Sequence, residues 1–133
     1  MDLIRALGSE FDADKLPRLD FSKSSIIAVD KLLKDNGIQK KDFLVCVASG
    51  AAESAKSRMW PYDRYAEFCD ELIDKYNAKI VFAGSPDEFD LIKNIQEKME
   101  NKNTVNSAGK VTLNQLFYLI SKSKLFVGND AGP

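Results

Sequence analysis

Two short loops contain the residues best placed to bind a ligand, because each directly follows an apolar run typical of a buried strand. The first loop holds Ser49, Gly50, Ala51, Lys56 and Arg58, and the second holds Gly128, Asn129, Asp130, Ala131 and Gly132. Small residues after a strand let backbone N–H groups approach a phosphate, and the two cations add positive charge. The pattern indicates an anion site, although tight turns with solvated cations explain it equally well.

Two acidic residues each allow a structural and a functional interpretation. Glu88 stands three residues after Ser85, where a glutamate completes a capping box at a helix start. An acid after a strand is also placed to hydrogen-bond a ribose, as in dinucleotide-binding folds. Asp130 either stabilises its own loop or meets sugar hydroxyls. Trp60 is interpreted as an anchor for the following helix in preference to a base-stacking platform.

Composition excludes several classes of function. The sequence contains no histidine, so the chain itself has no Ser-His-Asp or Cys-His catalytic centre and no histidine-based metal site. A formal net charge of -1 argues against a nucleic-acid footprint. Because no apolar run is long enough to cross a bilayer and the amino terminus lacks a signal pattern, we expect a cytoplasmic protein. Cys46 and Cys69 are predicted to be buried.

Hydrophobic periodicity predicts four helices that alternate with four strands. The strands are predicted at 43–48, 79–83, 104–108 and 124–127. The helices are predicted at 23–36, 61–76 with Pro61 in the first turn, 86–99 and 113–120. Ser22, Ser85 and Thr112 are predicted to cap helices, and Gly37 to end the first one. The last helix is expected to bury Leu113, Leu116, Phe117 and Ile120, and the first helix to bury a stripe that includes Ile27.

This alternation predicts a Rossmann-like α/β fold with three layers and a parallel sheet of strand order 3-2-1-4. Strands one and four are then neighbours at the point where the winding reverses, which brings Gly50 and Gly128 together. Residues 1–22 are expected to form a strap, and residues 23–133 a partial domain. Because no element follows strand four, we expect a fragment, and pairing between exposed strand edges is a hypothesis.

Four motifs in order resemble glycosyltransferase family 9, the ADP-heptose:lipopolysaccharide heptosyltransferases and their relatives. The resembling segments are Ser49-Gly50-Ala51 with Lys56-Ser57-Arg58-Met59-Trp60-Pro61, then Val81–Glu88, Ser107–Leu113 and Val127–Pro133. The last segment is similar to a G-N-D-[TSA]-G-P signature. Together the motifs span about residues 43–133.

The resemblance implies the second, donor-binding domain of a two-domain GT-B enzyme. The family's reaction is an inverting, metal-independent transfer of heptose from a nucleotide diphosphate to a lipid-linked oligosaccharide at the cytoplasmic face of the inner membrane. No cofactor is implied beyond the donor substrate, which is ADP-heptose or a similar nucleotide-sugar. The acceptor is expected to bind through the other domain.

The resemblance also assigns roles to residues of this chain. The Gly50 and Gly128 loops hold the diphosphate, Arg58 matches a cationic position, Glu88 the ribose acid, and Asp130 the aspartate that faces the donor sugar. The general base lies in the other domain, so the chain has no catalytic base of its own, and Arg58 and Asp130 are at most supporting groups. The fragment alone is therefore expected to be inactive.

The sequence departs from the family pattern at two positions of the site. Ser49 replaces a proline, and Ala131 lacks the hydroxyl that threonine or serine offers to a phosphate. Two alternatives stay open: a self-standing α/β module that binds a nucleotide or a partner, and the donor domain of a GT-B enzyme that uses UDP-sugars.

Overall fold

The computed structural model describes residues 18–51, 57 and 59–129. Within them the chain alternates helices and strands as the periodicity predicts. The helices are α1 (Lys23–Asp35), α2 (Tyr62–Tyr76), α3 (Phe89–Lys98) and α4 (Leu113–Lys122), and the strands are β1 (Leu44–Ala48), β2 (Lys79–Phe82), β3 (Val105–Asn106) and β4 (Leu125–Gly128). A 3-10 turn, Pro86–Glu88, precedes α3.

The four strands form one parallel sheet of order β3-β2-β1-β4, which confirms the predicted topology. Strand β1 lies in the interior of the sheet and pairs with β2 on one side and β4 on the other. Parallel neighbours place their carboxyl ends at the same edge, here called the carboxyl edge. The loops after β1 and β4 therefore leave the sheet side by side.

Two helix layers cover the sheet, so successive residues of β1 enter different cores. Val45 and Val47 pack with buried residues of α2 and α3. Leu44 and Cys46 pack on the opposite face with residues of α1 and α4. Because both faces are buried, the sequence of β1 is a continuous apolar run and does not alternate between apolar and polar residues.

Local capping follows the sequence closely. The Ser22 hydroxyl accepts a hydrogen bond from Ser25 N at 3.1 Å, and α1 ends before Gly37, whose φ of +70° suits glycine. Thr112 and Gln115 form a reciprocal capping box at the start of α4. These short-range bonds satisfy donors at the helix starts and so define where the helices begin.

Three details of the sequence prediction are wrong. The third strand pairs over only two residues, Val105 and Asn106. Ile27 and Leu113 are exposed, whereas Tyr118 and Leu119 are buried in α4. Helix α4 contacts both α1 and β1. The buried face of α4 is therefore wider than a single apolar stripe and is centred on Tyr118 and Leu119.

None of the helices in the described part of the chain combines the length and apolarity needed to cross a membrane.

Candidate functional site

The loops after β1 and β4 are adjacent at the carboxyl edge, as the topology predicts. Ala48 and Gly128, the last residues of these strands, are partners in the register. The backbone N–H of Asn129 donates to Ala48 O at 3.4 Å, which extends the pairing by one step. The prediction that the topology brings Gly50 and Gly128 together is therefore confirmed.

The side-chain amide of Asn129 connects this junction to the start of α2. Its Nδ2 donates to Ser49 O at 2.7 Å and to Gly50 O at 3.3 Å. Its Oδ1 accepts from Trp60 N at 3.2 Å and from the Tyr65 hydroxyl at 2.9 Å. An asparagine amide offers two donors and two acceptor sites, so these four bonds use them all.

Glu88 brings a carboxylate to the same edge, against the first loop. Its Oε2 accepts from Ser85 N at 2.6 Å and so completes the predicted capping box. Its Oε1 lies where a side chain at Gly50 would begin, since a Cβ built there is 1.3 Å from it. At Gly84 a Cβ would lie 2.6 Å from Oε2. The carboxylate thus occupies space that only glycine leaves free.

The two carboxylate oxygens of Glu88 have different surroundings. Oε2 serves the helix cap, whereas Oε1 faces Gly50 and has no hydrogen-bond partner among the described residues. The residue is half-buried. The capping and ligand-binding interpretations are therefore compatible, because the helix cap uses only one of the two oxygens.

Ser49 directly follows β1 and is fully buried. Its Oγ has no hydrogen-bond partner in the described part of the structure, although its carbonyl is bound by Asn129. A buried hydroxyl without a partner costs free energy. Its neighbour in the loop, Ala51, is half-buried.

Trp60 forms one rim of the site, at the end of the first loop. Its ring packs edge-on against Tyr65 at 5.2 Å and Phe68 at 5.9 Å between centroids, and the residue is 42% exposed. This packing agrees with the interpretation of Trp60 as an anchor for α2. Burial, with a smaller contribution from Cys69, raises the pKa of the Tyr65 phenol, so the hydroxyl is protonated and donates at neutral pH.

A cavity of about 490 Å³ lies at the opposite, amino edge of the sheet. It lies beside Leu44 and Lys124, where β1 and β4 begin, and is also lined by Lys40, Asp30 and Asp42. The carboxyl ends of α1 and α4 point toward this edge, and helix carboxyl ends carry partial negative charge. The lining also includes Lys122, so the side chains give this cavity a net positive charge. Topology nevertheless favours the carboxyl edge for the ligand, because ligands of open α/β sheets bind outside the carboxyl ends of the strands.

The structure brings together Ser49, Gly50, Glu88, Gly128 and Asn129 at this edge. The predictions for Lys56, Arg58, Asp130, Ala131 and Gly132 lie outside the described residues and stay predictions. The sequence analysis did not single out Tyr65 for the site, because its helical spacing marks it only as part of the apolar face of α2. A tyrosine at a buried helix position needs a partner for its hydroxyl, which was the signal available.

No group of three or more His, Cys, Asp or Glu residues that could hold a metal occurs within the described ranges.

The sequence model of glycosyltransferase family 9 (heptosyltransferase) matches residues 5–133, which is nearly the whole chain. The chain belongs to glycosyltransferase family 9. No curated protein gives a significant match.

Two solved structures share the fold of this family 9 chain. The ADP-heptose lps heptosyltransferase II of E. coli is similar with a TM-score of 0.71 and 24% identity, over 88% of this chain and 35% of that one. The glycosyl transferase family 9 of Veillonella parvula DSM 2008 gives a TM-score of 0.76 and 23% identity, over 86% and 32% respectively. The chain spans about a third of the length of each.

Proposed function

We propose that this family 9 chain binds the nucleotide-sugar donor of a heptosyltransferase, with ADP-heptose or a close analogue as donor. Residues 23–133 form most of the donor-binding domain, and residues 1–22 form a strap that leads into it. In the whole enzyme the heptose passes to a lipopolysaccharide core acceptor held by another domain. The transfer inverts the anomeric centre and needs no metal ion.

The observation that carries the proposal is the contact of Glu88 with Gly50. It makes the acidic group for a ribose and the small-residue loop for a diphosphate parts of one surface at the carboxyl edge. Ligands of open α/β sheets bind at this edge, where the winding reverses. A nucleoside diphosphate has a ribose diol and an anionic chain next to each other, which matches the order of these groups.

In this proposal the chain binds the donor and stabilises the departing nucleoside diphosphate, whereas the general base lies in another domain. The loop that starts at Gly50 contains Lys56 and Arg58, whose charges offset the negative charge that grows on the departing diphosphate. Deprotonation of the acceptor hydroxyl requires a carboxylate from another domain. We therefore expect the 133-residue chain to bind donor without transferring sugar, whereas the whole protein releases ADP from ADP-heptose when acceptor is present, with or without a chelator.

Calorimetric titration of the chain with ADP, UDP and NAD tests the binding step. We expect ADP to bind most tightly, and Glu88→Gln to weaken ADP by about tenfold, because a charge-assisted hydrogen bond to the ribose is lost. Glu97→Gln is the matched control, since Glu97 is exposed on α3 and its carboxylate lies 3.9 Å from Lys93 Nζ.

Three other outcomes of the titration have distinct meanings. No heat with any nucleotide at millimolar concentration contradicts the donor-binding proposal and favours a module that binds a protein partner. A preference for UDP assigns the chain to an enzyme that uses UDP-sugars. Equal weakening by Glu88→Gln and Glu97→Gln removes Glu88 from the site.

A further inference from the structure

We propose that Tyr65 and Asn129 are positioning residues, which tie the two ends of the first loop together and do not touch the donor. This inference deepens the proposed donor site and rests on it. The pair is called the Tyr65–Asn129 clasp below.

The clasp binds both ends of the first loop. Asn129 Nδ2 holds the carbonyls of Ser49 and Gly50, where the loop begins, at 2.7 and 3.3 Å. Asn129 Oδ1 holds the N–H of Trp60, where the loop ends, at 3.2 Å. One side chain therefore sets the distance between the two stems of the segment that carries Lys56 and Arg58.

The amide has no hydrogen-bonding capacity left for a ligand. All four of its sites are used within the protein. A donor phosphate could bind this amide only by displacing a backbone partner, which would leave a buried polar group unpaired. Asn129 therefore has a positioning role, whereas the family resemblance implies donor-binding roles for its neighbours Gly128 and Asp130.

Tyr65 orients the amide. Its hydroxyl donates to Asn129 Oδ1 at 2.9 Å from a side chain that is 1% exposed. A hydroxyl donor requires a carbonyl oxygen in front of it, so it selects the orientation in which Nδ2 points at the loop carbonyls. The ring is itself fixed by its edge-on packing against Trp60. Tyr65 thus acts on the loop through Asn129.

The test uses Tyr65→Phe, Asn129→Ala and the double variant, in the whole protein for transfer kinetics and in the chain for hydrogen exchange. We expect Tyr65→Phe to raise the donor KM about fivefold, the effect of one hydrogen bond, with the acceptor KM unchanged. Amide exchange at the two described ends of the loop, Gly50 and Trp60, is expected to accelerate. In the Asn129→Ala background, Tyr65→Phe is expected to add nothing, because its only route to the loop is gone.

Tyr118→Phe is the matched control. Tyr118 is also buried on a helix, and its hydroxyl donates to Asp30 Oδ1 at 3.3 Å, away from the carboxyl edge. It is expected to lower the melting temperature as Tyr65→Phe does, with the donor KM and loop exchange unaltered.

The outcomes separate this inference from the proposed function. If the wild type binds no nucleotide, the donor assignment fails. Amide hydrogen exchange at the ends of the first loop then tests the Tyr65–Asn129 clasp by itself. If nucleotide binds and Tyr65→Phe changes neither donor KM nor loop exchange, the clasp is wrong. Additive effects of Tyr65→Phe and Asn129→Ala also overturn it, since they mean that Tyr65 acts by another route.

Discussion

At the scale of single residues, the candidate site depends on the absence of a side chain at two glycines, Gly50 and Gly84. The Glu88 carboxylate lies in the space that a side chain at Gly50 would fill and also crowds Gly84. Neither glycine has the positive φ that marks Gly37 and Gly109. The requirement for glycine at position 50 therefore comes from close approach of the carboxylate and not from backbone conformation.

The variant Gly50→Ala tests this explanation. A Cβ 1.3 Å from Glu88 Oε1 must displace the carboxylate and break its bond to Ser85 N, at a cost of about 1–3 kcal/mol in unfolding free energy. In a Glu88→Ala background most of that cost is expected to vanish. Urea denaturation of the wild type, the two single variants and the double variant measures this. Gly128→Ala, whose Cβ would lie 3.3 Å from Ala48 O, is expected to show no such coupling.

Ser49 supports a second prediction at the same scale. The Ser49 hydroxyl has no partner among the described residues, so Ser49→Ala is expected to leave stability unchanged or to raise it by about 1 kcal/mol. The comparison is Ser107→Ala, where an equally buried hydroxyl donates to Phe82 O at 2.7 Å and its loss is expected to destabilise the fold. Equal destabilisation by both variants in chemical denaturation would contradict the assignment of Ser49.

At the scale of elements, one carboxylate joins α2 to the end of α3. Asp70 accepts from the backbone N–H groups of Glu100 and Asn101 at 2.8 and 2.9 Å, and from Asn101 Nδ2 at 3.0 Å. Partial burial pulls the pKa of Asp70 upward, but these hydrogen bonds and the nearby Lys102 outweigh it, and the net pKa is lowered. The link is thus strongest when Asp70 is ionised.

A depressed folded-state pKa predicts how stability depends on pH. The contribution of Asp70 is complete above its ordinary pKa of 3.8 and is lost as the pH falls through its lower folded-state value. Asp70→Asn is expected to cost about 1–2 kcal/mol at pH 7, and the difference from wild type is expected to shrink below pH 3.8. Melting temperatures from pH 7 to pH 3 measure this. Asp74→Asn is the control, since Asp74 accepts a single long bond among the described residues, 3.4 Å from Asn101 Nδ2. A difference between Asp70→Asn and wild type that stays constant with pH would contradict the link.

At the scale of the whole molecule, the sheet divides the interior into two cores, and each holds one cysteine. Cys46 packs on the side of α1 and α4, and Cys69 on the side of α2 and α3. Burial raises the pKa of both thiols to about 12, with a smaller contribution from Asp70 at Cys69. Both thiols are therefore protonated and inaccessible in the folded chain.

Thiol reactivity consequently reports on unfolding of both layers. We expect neither cysteine to react with a disulfide reagent at neutral pH in the native protein, and both to react together as urea unfolds it. Mass spectrometry of labelled peptides assigns each site. Labelling of one cysteine well before the other would show that one helix layer opens independently, contrary to a single cooperative unit.

The sequence by itself determined the order and type of the elements, the helix caps and the parallel topology, because these depend on hydrophobic period and on bonds between residues close in the chain. It also placed the Gly50 and Gly128 loops side by side, since crossover handedness leaves few alternatives. The contact of Glu88 with Gly50 and the four bonds of Asn129 were decided only by the tertiary structure. They join groups up to 80 residues apart, and neither residue type nor spacing encodes which distant backbone atoms a side chain will meet.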